Sequence, residues 1–210
     1  MNGRDIADVG RGDLCPGLAD AFSEAPRVAW DVETTGLDWR RDRLATCQLF
    51  AEGLGVAIVS MEPGRPRRLA ALLEKPDVEK VFHHAPFDLR FMVKAWGVWP
   101  AAVRCTKVAS KLLEPEAPNE AHSLQQLVHR RLGVTLGKGT VRTSDWSAAD
   151  LTPEQLEYAA ADVLHLLPLL DSLRGSLELK GLARLYDGCC AFLPPRTALE
   201  VGGYPDVFAY

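Results

Sequence analysis

The sequence predicts an α/β protein with a mixed central sheet that is flanked by helices. Apolar segments of strand length fill residues 28–59, and helical patterns alternate with a short strand beyond residue 66. The chain has 210 residues, of which 47% are hydrophobic, and this suits one globular domain with a sizeable core. We therefore expect a loose N-terminus over residues 1–12 and a single domain over residues 13–210.

Three strands open the predicted sheet. Residues 28–32 are the first, and residues 44–50 and 55–59 follow as a meander with a turn at Glu52 and Gly53. Their short length and their β-branched and aromatic side chains favour strands over helices.

The middle of the chain alternates helices with one short strand. Proline and glycine set most of these boundaries, because proline fits a first helical turn but not an interior, and glycine favours helix ends. The predicted elements are helices over residues 66–74, 86–96 and 106–113 and a buried strand over residues 80–83.

Two later helices carry the clearest local signals. Ser123 with Gln126 is typical of a capping box, and so is Thr152 with Gln155, where a proline also occupies the first helical position. Pro168 removes a backbone donor inside the second helical segment, so we expect a kink or break there.

Four acidic residues and one tyrosine lie on these elements. Asp31 and Glu33 share a face of the first strand, and Tyr158 and Asp162, four residues apart, share a face of a helix. Asp88 lies in the helix over residues 86–96. Clustered carboxylates repel one another unless a cation lies among them, and hard oxygen ligands suit Mg²⁺ or Mn²⁺. Two such ions about 3.5–4 Å apart stabilise both the attacking and the leaving oxygen of a phosphodiester displacement.

Taken singly, each of these features has a plainer interpretation. The Asp31 and Glu33 pair could be a solvated turn, Asp88 a helix cap or a first-turn acid, and Tyr158 and Asp162 a surface pair. Their joint occurrence, in this order and on these elements, favours a metal-dependent nuclease.

These five residues resemble the DEDD 3′-5′ exonucleases of the tyrosine-bearing branch. Residues 123–170 closely resemble bacterial ribonuclease D, with the SDW element at residues 144–146 and the LTPEQLEYAAADV element as the most distinctive parts. The segment CTKVASKL at residues 105–112 and the C-terminal tail look more like the nanoRNase C group. Two features depart from ribonuclease D: Cys105 stands where that pattern usually has an acid, and the chain ends before a helical nucleic-acid-binding domain could fit.

The resemblance implies a ribonuclease H-like exonuclease fold and two divalent metal ions, Mg²⁺ or Mn²⁺. In the family's arrangement, Asp31 would contact both ions, Glu33 and Asp162 would complete the site that activates water, and Asp88 would hold the second ion. Tyr158 would orient the attacking water by hydrogen bonding, since a phenol with a pKa near 10 is a poor general base at neutral pH.

The resemblance also implies a substrate pocket beside the acids. Thr34, Gly36 and Leu37 would line the pocket of the 3′ nucleotide, with Leu37 wedged between bases. His84 would contact the substrate. The alternatives are a core leucine at 37 and a structural histidine at 84. Two roles are considered for Trp146, stacking on a base and packing against the helix that carries Tyr158, and packing is favoured.

The function that these features predict is a metal-dependent 3′-5′ exoribonuclease that hydrolyses short oligonucleotides, down to dinucleotides, to nucleoside 5′-monophosphates. The first motif, DVETTGL, is closer to proofreading exonucleases, which keeps single-stranded DNA or longer RNA as an alternative. A third hypothesis is an inactive nucleic-acid-binding scaffold, which the presence of all four acids disfavours.

Charge and composition limit the substrates and the cellular location that we expect. A net charge of −4 disfavours a long electrostatic track along nucleic acid, so we expect short single-stranded ends as substrates, with Arg40–Arg43 and Lys138–Arg142 as the basic clusters that flank the motifs. The sequence shows neither a membrane span nor a secretory signal, and five cysteines without CxxC spacing fit a reducing cytoplasm. The tail and the nanoRNase C resemblance imply a closed homo-oligomer, such as an octamer.

Overall fold

The fold is a six-stranded mixed sheet with helices packed against it. The computed structural model of the protein describes residues 6–137, 141, 144–148 and 150–210. The strands are β1 Ile6–Arg11, β2 Arg27–Thr34, β3 Leu44–Ala51, β4 Gly55–Ser60, β5 Glu79–Phe82 and β6 Val103–Cys105. The helices are α1 Pro16–Glu24, α2 Arg67–Glu74, α3 Ala85–Trp96, α4 Thr106–Leu113, α5 Leu124–Leu132, α6 Pro153–Leu164, α7 Leu166–Leu179 and α8 Ala183–Val201, with a 3₁₀ turn at Asn119–His122.

The strand order brings the ends of several strands to one edge of the sheet. The order is β1-β4-β3-β2-β5-β6, and only β3 runs antiparallel to its neighbours. The carboxyl ends of β1, β4, β2, β5 and β6 therefore meet at the same edge, which we call the site edge. This confirms the predicted mixed sheet and the predicted meander of β2, β3 and β4.

The core explains why β2 lies at the centre of the sheet. Its residues Val28, Ala29 and Trp30 are fully buried, and the Trp30 ring stacks on Phe82 of β5 with centroids 6.1 Å apart. A strand that is covered on both faces typically has a continuous apolar sequence, and residues 28–30, directly before Asp31, have this character. Packing therefore fixes the strand whose end carries the first two acids.

The prediction of a loose N-terminus over residues 1–12 is wrong for Ile6–Arg11, which form β1 and pair in parallel with β4. Residues 1–5 lie outside the described residues. An edge strand is stabilised by its backbone pairing and buries little side-chain surface, so its half-polar sequence gives no strong strand pattern.

Two helices are missing from the sequence-based prediction, α1 and α8. Helix α8 contains Pro194 and Pro195, a pair that normally ends a helix because each ring removes a backbone donor. Tertiary packing overrides this local preference. Pro194 and Leu193 are buried, and the Thr197 hydroxyl donates to the Leu193 carbonyl at 2.8 Å.

The predictions for the later helices are confirmed in most respects. Thr152 and Gln155 form a complete capping box at the start of α6, and the helical segment breaks at His165, as Pro168 in the following turn requires. Ser123 caps α5, but no reciprocal bond from Gln126 closes that box.

The reason for the open box at Ser123 is local. The Ser123 backbone N–H already donates to the Glu120 carbonyl in the preceding 3₁₀ turn at 3.1 Å, so there is no free donor for Gln126 to accept from.

Within the part of the chain that the structure describes, no helix combines the length and apolar character needed to cross a membrane.

Replacing Thr152 by Ala should lower the free energy of unfolding by about 1 kcal/mol, because the cap of α6 is lost. Urea denaturation of both proteins measures the difference. Thr152→Ser keeps the hydroxyl and is the matched control. A Thr152→Ala variant as stable as Thr152→Ser would contradict the capping role.

Candidate active site

Three acids converge at the carboxyl end of β2. Asp31 and Glu33 lie on the strand on either side of buried Val32, and Asp162 lies on α6, which packs across β2, β3 and β4. Each of the three carboxylates offers an oxygen, and these oxygens all lie within 4.8 Å of one another. The strand and helix periodicities thus bring together the residues that the sequence predicted.

Asp88 adds a fourth carboxylate beside this group. It lies in the first turn of α3 and is only 2% exposed. Burial, followed by repulsion from Asp31, raises the pKa of Asp88 well above its ordinary value. The pKa of Asp31 is raised in the same direction by burial and by the charge of Asp162.

These carboxyl groups fit a divalent cation. Buried like charges are costly unless they are protonated or neutralised by a counter-charge, and a cation among oxygen ligands supplies that counter-charge. Carboxylate oxygens are the ligands that Mg²⁺ and Mn²⁺ prefer. Asp31, Glu33 and Asp162 would hold such an ion, with Asp88 next to Asp31.

Tyr158 lies one helical turn before Asp162. The pKa of its hydroxyl is raised by burial first and then by the charges of Asp162, Glu33 and Asp31, and the hydroxyl also hydrogen-bonds Asp162. The phenol is therefore protonated at neutral pH and acts as a hydrogen-bonding group. Trp146 is buried at 2% exposure with its ring 5.9 Å from the Tyr158 ring, so the packing alternative for Trp146 is the correct one.

Sequence reasoning missed two polar residues on β3. Thr46 and Gln48 are fully buried, and they lie opposite Glu33 and Asp31 in the strand register. The Gln48 side-chain amide donates to Asp31 Oδ2 at 2.6 Å, and the Thr46 hydroxyl donates to Gln48 Oε1 at 3.1 Å. The signal was present, since these are the two hydrogen-bonding side chains in the otherwise apolar segment LATCQLFA.

The loop after β2 presents Leu37 to solvent. Its side chain is 84% exposed, which excludes the alternative of a core leucine. The Thr34 hydroxyl donates to the Gly36 carbonyl at 2.6 Å, and a Cβ at Gly36 would lie 2.4 Å from Asp42 Oδ2. Asp42 is itself held by the Asp38 N–H at 2.9 Å, so only glycine fits this turn.

Lys94, which lies on α3, hydrogen-bonds the same loop. The Lys94 ammonium donates to the carbonyls of Trp39 and Arg40 at 2.8 and 2.6 Å. The Arg40 guanidinium covers the Trp39 ring at 4.4 Å. Of the two basic clusters that flank the motifs, Arg40–Arg43 lies on this loop, whereas Lys138 and Arg142 lie outside the described residues.

His84 is not part of the group of converging carboxylates, and it lies four residues before Asp88. It precedes α3 in a left-handed conformation, with φ of 70°, and lines a pocket of about 380 Å³ on the site edge. Loss of hydration first, and then repulsion from Lys107, lowers the pKa of His84 to about 4, although part of the ring is exposed. The neighbouring His83 has its Nδ1 2.8 Å from the Thr106 hydroxyl oxygen and is structural.

Comparison with known proteins gives a consistent group of relatives. Residues 14–178 match the family model described as a 3′-5′ exonuclease. Aquifex aeolicus DNA polymerase I is 32% identical over an alignment of 202 residues that covers 88% of this chain and 33% of that protein. Escherichia coli ribonuclease D is 30% identical over an alignment of 181 residues that covers 84% of this chain and 46% of that protein. The chain thus spans less than half the length of these curated relatives.

Comparison with solved structures finds the same family of nucleases as comparison with sequences. Brucella melitensis NrnC superposes with a TM-score of 0.88 at 35% identity, covering 98% of both chains, and it has been solved with bound Mg²⁺ and bound to pGG. Escherichia coli RNase D superposes with a TM-score of 0.76 at 27% identity, covering 89% of this chain and 50% of that one. The predicted ribonuclease H-like exonuclease fold is therefore confirmed.

The raised pKa of Asp88 gives a testable pH dependence. Its folded-state pKa lies above the ordinary value of 3.8, so this group favours folding below pH 3.8, and that contribution is lost as the pH rises toward the folded pKa. Without divalent cations, Asp88→Asn should be more stable than the wild type at neutral pH, with a smaller difference in acid. Urea unfolding in EDTA at several pH values measures this. If the wild type instead became more stable relative to Asp88→Asn as the pH rises, the prediction would be contradicted.

Proposed function

Because the chain belongs to the DEDDy, ribonuclease D-like family of 3′-5′ exonucleases, we propose that it removes nucleotides from the 3′ ends of short oligonucleotides and releases nucleoside 5′-monophosphates. The observation that carries the proposal is the convergence of Asp31, Glu33 and Asp162 at the end of β2, with Asp88 and Tyr158 beside them.

We propose two divalent cations, Mg²⁺ or Mn²⁺, as the cofactors. When bound, such ions lower the pKa of attacking water and stabilise charge on the leaving oxygen. Asp31 would contact both ions, Glu33 and Asp162 would complete one site, and Asp88 would complete the other. The raised pKa values of Asp31 and Asp88 support this assignment, since a cation would restore their ionised forms.

Tyr158 would orient the attacking water. Its protonated hydroxyl donates its one proton to Asp162 and its ring packs on Trp146, so the phenol oxygen can accept a hydrogen bond from water at a defined point. The exposed Leu37 on the glycine-constrained turn would contact the 3′ base, with Thr34 and Gly36 shaping the loop.

The pocket that His84 lines supports a short, 5′-phosphorylated substrate. Lys107, Lys111 and Arg196 also line it, and among the described residues Lys107 has no carboxylate within ion-pair distance. The pocket lies at the ends of β5 and β6, one and two strands from β2, and neighbouring strands are about 4.8 Å apart, so it is roughly 5–10 Å from the acids at the end of β2. A very short oligonucleotide with a terminal phosphate can bridge that distance.

The charge balance supports the same substrate length. With a net charge of −4, the chain offers few cations to neutralise a long run of phosphates. The free state of all five cysteines is consistent with the reducing cytoplasm that we propose as its location.

We propose a homo-oligomer, such as an octamer, as the working form. Tyr204, Val207 and Phe208 of the tail are exposed, and the Phe208 ring contacts the exposed Phe192 on α8 with centroids 5.6 Å apart. An exposed aromatic surface of this kind suits contact with a second copy of the chain. Sedimentation at several protein concentrations tests this, and a monomer at all of them would refute it.

A second candidate is single-stranded DNA or longer RNA as the substrate. The match to DNA polymerase I and the DVETTGL segment favour it. The catalytic residues would be the same, so only the substrate series separates the two candidates.

The deciding experiment is product analysis on 5′-phosphorylated RNA and DNA from two to about twenty nucleotides, in Mg²⁺ and in Mn²⁺, with Asp162→Asn as the inactive control. Stepwise release of 5′-monophosphates, fastest on the shortest RNA, is expected. Faster cleavage of twenty-nucleotide substrates would support the second candidate, and no cleavage of any substrate would refute the nuclease proposal.

Replacing Tyr158 by Phe should slow turnover by about 10²–10⁴-fold, the usual range for a positioned proton-handling group. Metal binding should be retained, because the hydroxyl does not hold the ion. Single-turnover rates and a Mg²⁺ titration followed by thermal unfolding measure both properties. Wild-type turnover would remove Tyr158 from the mechanism.

Replacing Lys107 by Met should raise KM for a 5′-phosphorylated dinucleotide by about 10–100-fold, as expected for the loss of a charged hydrogen bond. KM for the same dinucleotide with a 5′-hydroxyl should change little. Lys75→Met is the matched control, because Lys75 precedes β5 at the opposite edge of the sheet. Equal effects on both dinucleotides would contradict phosphate recognition by this pocket.

A further inference from the structure

Among the fully buried polar residues that have no role in the proposed mechanism are Thr46 and Gln48 of β3. Every residue of this strand except Phe50 is buried. An amide or a hydroxyl in such a place is unfavourable unless each polar atom finds a partner. Both residues find one, and the chain of bonds ends on Asp31.

The strand register explains why the bonds run toward the acids. Gln48 lies directly opposite Asp31 and Thr46 directly opposite Glu33, and facing residues on paired strands point to the same side of the sheet. The polar pair on β3 and the acidic pair on β2 therefore form one patch on the face that α6 covers.

The two bonds define the orientation of the amide. The Thr46 hydroxyl donates to Gln48 Oε1, which leaves the Gln48 amino group to donate to Asp31 Oδ2. In the flipped orientation, Oε1 would face the carboxylate of Asp31, and two acceptors would oppose each other. The Asp31 carboxylate, which accepts only, therefore decides this orientation, and Thr46 fixes it by donating to Gln48 Oε1, which would otherwise be buried without a partner.

A neutral donor suits this position for chemical reasons. A lysine or arginine at position 48 would compete with a cation for the Asp31 carboxylate, and an acid would add a further negative charge to a crowded group. An amide holds one oxygen of Asp31 and limits rotation of the carboxylate without changing the net charge of the site.

We propose that Gln48, oriented by Thr46, is a positioning residue that fixes the Asp31 carboxylate for cation binding and turnover while contacting neither the cation nor the substrate. The proposal rests on the metal-dependent function proposed above. Groups that orient a metal ligand from behind typically alter metal affinity or activity by about 10–100-fold when they are removed.

The experiment combines two measurements on the full chain. The first is the Mg²⁺ midpoint, defined as the apparent dissociation constant obtained by fitting the rise of the melting temperature with Mg²⁺ concentration, and it requires no nuclease activity. The second is kcat and KM on a dinucleotide. The variants are Gln48→Met, Gln48→Glu, Thr46→Val and Thr46→Ser. Leu49→Val is the control, because Leu49 is buried in the same strand and its side chain alternates to the other face.

Gln48→Met and Gln48→Glu should raise the Mg²⁺ midpoint by about 10–100-fold and lower kcat, with a smaller effect on KM. Thr46→Val should act in the same direction and more weakly, and Thr46→Ser should restore wild-type values because it keeps the hydroxyl. Leu49→Val should lower the melting temperature without metal but leave the Mg²⁺ midpoint unchanged.

Wild-type Mg²⁺ midpoints and kcat in Gln48→Met and Thr46→Val would overturn the proposal while leaving the nuclease function in place. If Gln48→Met fails to fold, Thr46→Val against Thr46→Ser decides the matter, and equal midpoints in these two would overturn it. A wild type that neither binds Mg²⁺ nor cleaves oligonucleotides would overturn both the positioning role and the proposed function.

Discussion

Repulsion among partly buried carboxylates is the constraint on which the rest of the structure depends. At 4.8 Å, two ionised groups in a partly solvated protein repel each other by on the order of 3 kcal/mol. The chain keeps Asp31, Glu33 and Asp162 this close because each belongs to an element whose position is fixed by apolar packing. A site of this kind needs a rigid framework first, and a cation then turns an unfavourable arrangement into a favourable one.

The packing of strand β2 and of helix α6 makes this framework rigid. Strand β2 lies between β3 and β5, so its end cannot shift without disturbing the core around Trp30. Helix α6 crosses β2, β3 and β4 with a complete cap at one end and a break at His165 at the other. The break lets α7 leave in a new direction and pack against α4 and α5, while α6 remains over the acids.

Sequence reasoning succeeded where chemistry depends on local periodicity. The pairs Asp31 with Glu33 and Tyr158 with Asp162 follow from strand and helix repeats, and Thr152 marks its helix start through backbone hydrogen bonding alone. Sequence reasoning failed where tertiary context decides. Strand β1 is stabilised by its pairing with β4, helix α8 continues through two prolines because it is packed, and the bond from Gln48 to Asp31 needs the register between two strands. No single segment contains that information.

The loop between β2 and β3 carries Leu37 but none of the four acids of the site. Burial on both faces strongly specifies the register of β2 and β3, so the pairing of Asp31 with Gln48 is set by the core and not by the side chains of the loop. Surface connections tolerate insertions and deletions far better than strands do. Exposed side chains of this segment, such as Leu37, can therefore change over evolutionary time while the acids stay in place. Under the proposed role of Leu37, such changes would alter base preference without moving the acids of the site.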